Sequence, residues 1–268
     1  MNTDSIYHIG KDHRICEDYS LSGKIKTDDP NGLGYAVVCD GCSASPDVDI
    51  GARILAHSVL TVLENMSYED QMDGVYANYI GVCAIHRANK IYGILSKLHP
   101  QALDATLLLT WVYKDKVTLV MNGDGVFIHK SGDNIFTIHS HLTSGAPDYL
   151  SYTLDKTRKE MYGHLVDNVK VVSISDSPEP KHYVPFEPVW VKRKVKQGDI
   201  IAVISDGIGS FRKQDNTPID WKDLVNEFIG FKNTEGEFVN RRISAFLRKC
   251  NKEMTTHSDD ISIASIVV

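Results

Sequence analysis

The stretch "YAVVCDGCSAS", Tyr35–Ser45, is an apolar run of strand character that stops abruptly at Cys39, Asp40, Gly41 and Cys42. Its end has three readings: a thiol metal site, a carboxylate metal site, or a strand running into a turn. The thiol reading fails on spacing. A four-coordinate structural zinc site needs a second close Cys/His pair. Here Cys83 falls inside a helical pattern and Cys250 near a helix end. As a redox pair, Cys39-x-x-Cys42 has Asp-Gly between its thiols and no βαβ context around it. A cysteine on a buried strand behaves as a small packed hydrophobe, which leaves Asp40 and the turn.

Outward from this strand the pattern is α+β. Asp49 can cap "DIGARILAHSVLTVLENM", where Ile50, Ile54, Leu55, Leu60 and Leu63 recur at helical spacing. Asp73 before Gly74 reads as a turn leading into a second helix over Tyr76–Leu98, with Tyr79, Val82, Cys83, Ile85, Ile91, Ile94 and Leu95 inward and Pro100 closing it. "TLLLTWVY", "KVTLVMN", "VFIHK" and "NIFTIH" follow, separated by polar breaks at 114–116, 123–125 and 131–133, as in an antiparallel meander. Asp199–Ser205 is another buried strand. Helices are expected near Trp221–Ile229 and Phe238–Lys249, and the chain ends in the strand "ISIASIVV". Strands clustered between helix pairs predict sheets covered by helices, and the missing βαβ alternation argues against a doubly wound parallel sheet.

Composition bounds the function. Of the 268 residues, 42% are hydrophobic and 24% charged, which is ordinary for a globular protein with a substantial core. A net charge of −6 argues against a nucleic-acid footprint, which needs clustered Lys and Arg. The short "VKRKVK" run at Val191–Lys196 reads instead as a solvated strand edge. No signal-peptide pattern opens the sequence, and no stretch approaches the roughly 20 apolar residues of a membrane span. Five sparse cysteines do not make a disulfide scaffold, so the expectation is a reducing cytoplasm. No repeat or linker divides the chain; one domain over 1–268 is expected. "HSH" at His139–His141 reads as part of a surface loop.

The decisive pattern is the recurrence of acids at strand ends. Asp40 follows "YAVVC", Asp124 follows "LVMNG", Asp206 follows "IIAVIS", Asp259 and Asp260 precede "ISIASIVV", and Glu17 and Asp18 lead into a first strand. One Asp-Gly is a turn signal. Several carboxylates converging from buried strand ends repel one another and call for a compensating cation. Hard ions such as Mg²⁺ or Mn²⁺ take oxygen ligands, and two of them about 3.5–4 Å apart can assist in-line displacement at phosphorus. No dinucleotide fingerprint, P-loop or nucleophile elbow competes with this reading.

With these segments in order, the chain resembles the metal-dependent protein phosphatase 2C family, in its bacterial single-domain form. "RICEDYS" resembles the family's Arg upstream of Glu-Asp, and "YAVVCDGCSAS" its strand ending in Asp-Gly. "DATLLLTWV" resembles the Ser/Thr-Ala strand and "LVMNGDGVFIHK" the Gly-Asp-Ser-Arg segment. "IIAVISDGIGSF" resembles the Ser-Asp-Gly motif and "HSDDISIASIVV" the C-terminal Asp-Asn motif. The resemblance implies a four-layer αββα sandwich, with two central antiparallel sheets flanked by helix pairs. It implies hydrolysis of phosphoserine or phosphothreonine in a protein, as in a pathway with a partner kinase, by water activated at two Mn²⁺ or Mg²⁺ ions. Asp40 would bridge both ions and the Gly41 carbonyl would bind one. Asp206 and Asp259 would hold the second, Glu17 and Asp18 would support the first, and Asp124 could share a third with Asp206. Asp18, Asp40, Asp206 and Asp259 would then be the catalytic acids.

Departures from the pattern fall on substrate handling. The family's phosphate-binding Arg lies four residues before the Glu; here that position is His13, with Arg14 one step closer. Cys42 stands where some members carry a histidine, Gly125 and Val126 replace Ser-Arg, and Asp260 replaces the final Asn. A catalytically silent phosphoprotein-binding module, or a phosphatase of small molecules with the same centre, are the alternatives. Residues 140–185 are expected to form the flap beside the cleft, where Tyr149, Tyr152 and Tyr162 are either recognition surface or packing, with packing preferred. The expected state is a monomer, without nucleic acid or membrane partners.

Overall fold

The computed structural model describes residues 1–66, 74–95, 97–143, 145, 147–164, 169–177 and 179–268, with 74–78 as helix backbone. In chain order it contains β1 (Asn2–His8), β2 (Tyr19–Ile25), β3 (Leu33–Cys39), α1 (Val48–Asn65), α2 (Gly74–Ile94), β4 (Leu107–Tyr113), β5 (Lys116–Asn122), β6 (Gly125–Ser131) and β7 (Asn134–Leu142). Then follow α3 (Lys156–Gly163), β8 (Lys170–Ile174), β9 (Lys181–Tyr183), β10 (Val189–Lys194), β11 (Ile200–Ile204), β12 (Phe211–Arg212), α4 (Trp221–Ile229), α5 (Phe238–Lys252), β13 (Thr256–His257) and β14 (Ile261–Val267). Short 3₁₀ turns sit at Leu150–Leu154 and Asp206–Ser210. No helix among the described residues is long and apolar enough to cross a membrane.

The strands form a seven-stranded sheet in the order β1-β14-β11-β6-β7-β8-β9 and a five-stranded sheet in the order β10-β5-β4-β3-β2. Every pairing within them is antiparallel. Burial on two faces explains why "YAVVC" is continuously apolar: all seven residues of β3 are buried. Val37 packs with Leu55, Ala84, Ile85 and Leu109 under α1 and α2. Its neighbour Val38 points the other way, into an inter-sheet core with Leu108, Leu119, Phe127, Val203 and Ala264. On the far side, Ile128, Ile204 and Ile263 pack beneath Leu224 and Phe228 of α4 and Ile243 and Phe246 of α5. The layers are therefore helix pair, sheet, sheet, helix pair, as the resemblance implies.

Several local expectations are corrected. The meander is two hairpins in different sheets. β4 pairs with β5 in the smaller sheet and β6 with β7 in the larger, so Gly123–Asp124 is a crossover between sheets. Gly125 permits it at φ 134, and a Cβ there would lie 2.5 Å from Leu108 Cδ2 and 2.8 Å from the Ile204 carbonyl. The inner face of α2 is Ile80, Ala84, Ile85 and Ala88 at helical spacing, while Tyr79, Val82, Cys83, Ile94 and Leu95 are exposed. Small alanines set that face because the helix lies close to its neighbours, and bulk alone pointed to the wrong side. The helix ends at Ile94, short of Leu98, and Asp73 lies outside the described residues.

Asp47, not Asp49, is the residue before α1; Asp49 sits in its first turn, and Ile50 faces outward. His139 and His141 are on β7, not in a loop. Their rings stack at 5.1 Å, and His139 lies against Trp221, where burial lowers its pKa to about 4. Two strands gave little sequence signal. β1 is only partly buried along most of its length, yet it pairs residue for residue with β14. Its Asp4 accepts from the Val239 and Asn240 N–H groups at the start of α5. β10, with Lys192–Lys194, is the edge of the five-stranded sheet, where the basic run was expected.

Candidate metal centre

The acids gather at one end of both sheets because each lies just beyond a strand terminus. Asp40 follows β3, and its N–H donates to Thr106 Oγ1 at 3.0 Å, while Thr106 N–H returns a bond to the Asp40 carbonyl at 2.8 Å. Asp18 precedes β2, whose Tyr19 pairs with Cys39, so Asp18 falls beside Asp40. Ser262 Oγ donates to its Oδ2 at 2.6 Å. Asp206 follows β11 and begins a 3₁₀ turn. There Gly207 is required by packing, since a Cβ would sit 1.8 Å from the Asp260 carbonyl. Asp259 precedes β14, the ladder partner of β11, and Asp124 sits at the sheet crossover.

Asp40, Gly41, Asp124, Asp206 and Asp259 line a common cavity of about 260 Å³. Asp18 stands behind it, within hydrogen-bonding reach of Asp40, which in turn reaches Asp206. Burial raises the Asp18 carboxyl to about 7, with Asp260 adding repulsion. Burial, then the Asp18 and Asp206 charges, hold Asp40 well above the ordinary carboxylate range. Burial and Asp206 raise Asp124 to about 8 and Asp259 to about 6. An all-oxygen set whose charged forms are this unfavourable fits a hard divalent cation, which would hold the carboxylates ionised.

This clustering sets a pH dependence for the metal-free protein. An unfolded Asp titrates near 3.9, below the folded values, so between about pH 4 and 8 the native state binds more protons than the unfolded one. Stability therefore falls as pH rises through that window. In chelator, the melting temperature should be lower at pH 8 than at pH 5.5, and Mn²⁺ at pH 8 should restore it. Differential scanning calorimetry would show a rise with pH in chelator if the clustering were wrong.

On the rim, His13 lies 3.7 Å from Glu17, 3.5 Å from Asp259 and 3.0 Å from Asp260. Burial opposes its charge, but the Asp260 hydrogen bond and the neighbouring carboxylates prevail and raise its pKa. Asp260, one of the strand-end acids though not among the expected ligands, is buried; it accepts the Gly10 N–H at 2.7 Å and the Glu17 N–H at 2.6 Å. It fixes the loop that carries His13 and Glu17. The structure thus brings His13 and Glu17 to the acids, whereas Arg14 is exposed and makes no hydrogen bond or ion pair with a described residue.

The opposite wall comes from the segment after β7. Asp104 accepts from Ser45 Oγ, Ser151 Oγ and Arg158 Nη2, at 3.2, 2.6 and 2.6 Å. It ties the loop beyond Asp40 to the Leu150–Leu154 turn and α3. Tyr149 and Tyr162 are buried and, with Tyr152 and Phe186, form one ring cluster. Tyr149 also lines the cavity beside Cys42. Cys39 is fully buried, with burial raising its thiol pKa.

A family model described as "Protein phosphatase 2C" matches residues 7–248. The chain belongs to the protein phosphatase 2C family. The fold of this phosphatase-family member is also that of the S. agalactiae serine/threonine phosphatase, at 13% identity and TM-score 0.61, over 99% of this chain and 98% of that one. The Staphylococcus aureus serine/threonine phosphatase Stp1 aligns at 13% identity and TM-score 0.59, over 100% and 95%. The catalytic domain of the serine/threonine phosphatase PstP, in complex with two manganese ions, aligns at 14% and TM-score 0.53, over 99% and 97%. No curated protein matches the sequence.

Proposed function

We propose that this chain is a metal-dependent phosphomonoester hydrolase acting on phosphoserine or phosphothreonine in proteins. The observation that carries this reading is the convergence of Asp40, Asp124, Asp206 and Asp259, from both sheets, on one cavity with Asp18 behind. In this reading Asp40 and the Gly41 carbonyl would help hold a pair of Mn²⁺ or Mg²⁺ ions. Asp206 and Asp259 would hold one of them, Glu17 and Asp18 would support the other, and Asp124 with Asp206 could take a third. Cations held there would supply an activated water and offset charge on the phosphoryl oxygens. The protein's part is to hold Asp40 through its reciprocal bonds with Thr106 and Asp18 through Ser262. Asp260 keeps the loop bearing His13 and Arg14 at the rim. His13 faces the acids, and in this reading Arg14, exposed on the same loop, would bind the phosphoryl group of an arriving substrate.

The whole chain acts as one catalytic domain, with the part of residues 140–185 outside strands β7, β8 and β9 as the flap that selects the phosphoprotein, and it works as a cytoplasmic monomer paired with a kinase. The test is phosphate release from a phosphoserine peptide by the purified chain, with Mn²⁺, with Mg²⁺ and with chelator. Release with either cation and none in chelator is expected. No release with either metal would contradict the reading and favour a phosphoprotein-binding module.

A further inference from the structure

The described residues lining the carboxylate cavity include no lysine, arginine or histidine. Among the lining residues the side-chain donors are all neutral: the Cys42 thiol and the hydroxyls of Ser43, Thr106 and Tyr149. Thr106 Oγ1 accepts the Asp40 N–H and keeps its own O–H free to donate, and Ser43 is exposed on a loop.

Tyr149 is held more firmly. It is 6% exposed, and its ring packs on Tyr152 with centroids 5.5 Å apart. Just before it, Asp148 is buried in an ion pair with Lys170 and also takes the Phe186 N–H at 2.6 Å. Just after it, Ser151 donates to Asp104, which Arg158 and Ser45 also hold. Buried polar anchors of this kind fix a side chain at a cost that packing alone does not require, and functional donors need that preorganisation.

We propose that the Tyr149 hydroxyl is a substrate-binding group, donating a hydrogen bond to a phosphoryl oxygen of the bound phosphomonoester. This rests on the phosphatase reading and names the neutral donor that complements the cations at a wall without basic residues. The hydroxyl is kept protonated by burial first, then by Cys42, with which it shares a hydrogen bond that a bound phosphoryl oxygen would replace, and by Asp40 and Asp124 nearby. No proton is transferred: the phenol orients the phosphoryl group and remains a phenol. The Asp104–Arg158 pair and the Asp148–Lys170 pair are positioning groups that hold the ring in place.

The test compares wild type, Tyr149→Phe and a packing control, Tyr162→Phe, from the same ring cluster. Inorganic phosphate is titrated calorimetrically into each protein loaded with Mn²⁺, and phosphopeptide kinetics are measured in parallel. Loss of a hydrogen bond to a charged acceptor is expected to weaken phosphate binding by Tyr149→Phe about tenfold or more. Peptide kcat/KM should fall by a similar factor, with the Mn²⁺ affinity and melting temperature close to wild type and Tyr162→Phe within about twofold. Phosphate affinity equal in wild type and Tyr149→Phe would overturn the proposal. So would an equal loss in Tyr162→Phe, which would assign the effect to packing. If wild type binds phosphate but releases none from the peptide, the hydrolase reading fails while phosphate binding still decides the role of Tyr149.

Discussion

Asp40→Asn is expected to reduce phosphopeptide hydrolysis about 10³-fold or more, while raising the melting temperature of the metal-free protein. The activity loss follows from the proposed role of Asp40 in holding both cations: removing one charged oxygen would weaken both sites and withdraw several kcal/mol of transition-state stabilisation. The stability gain has a separate origin. Burial and the Asp18 and Asp206 carboxylates already make the Asp40 charge unfavourable, and an amide of the same shape removes that charge while the Asp40 N–H still reaches Thr106. Asp206→Asn should lose activity in the same way. Hydrolysis within about tenfold of wild type in either variant would remove these residues from the centre.

The second large effect is on stability. Lys170→Met should destabilise the protein by about 3–5 kcal/mol, measured by urea unfolding, because it leaves a buried carboxylate without its partner. Lys170 and Asp148 have side chains 0% and 1% exposed, with Nζ 2.5 Å from Oδ2. Lys170 Nζ also donates to the Glu187 carbonyl at 2.9 Å. The same aspartate holds the N–H of Phe186, a bulky residue kept at φ 68, where side chains are strained. Replacing both partners, Lys170→Met with Asp148→Asn, should recover part of the loss because no unpaired charge remains. A single-variant cost under about 1 kcal/mol, the range of an exposed pair, would show that this ion pair does not secure the segment before Tyr149.

The fold was legible where burial on two faces wrote continuous apolar runs. β3, β4 and β11, with α4 and the start of α5, stand where the sequence puts them. It was illegible where an element is only partly buried, as in β1, or where inward residues are small, as on α2 with Ala84 and Ala88. The sheet crossover at Gly123–Asp124 was hidden for another reason: a hairpin turn and a passage between layers have the same glycine-rich chemistry, and only tertiary packing separates them.

The site was legible through side chains that repeat a local context, Asp-Gly after an apolar strand. Its supports were not, because they come from distant positions without a shared pattern. Asp260 reaches back across the chain to Gly10 and Glu17. Asp104 collects Ser45, Ser151 and Arg158. Arg14, adjacent in sequence to His13, points to solvent while His13 turns to the acids, a choice that a one-residue shift in the loop makes and spacing alone does not reveal.

The central claim is that the strand-end acids form one divalent-cation centre organised by Asp40. Calorimetric titration of Mn²⁺ into the metal-free wild type and Asp40→Asn at pH 8 tests it most directly. Wild type should bind two ions, and Asp40→Asn should lose at least one of them. Absence of Mn²⁺ binding to wild type, or the same stoichiometry and affinity in Asp40→Asn, would contradict the account.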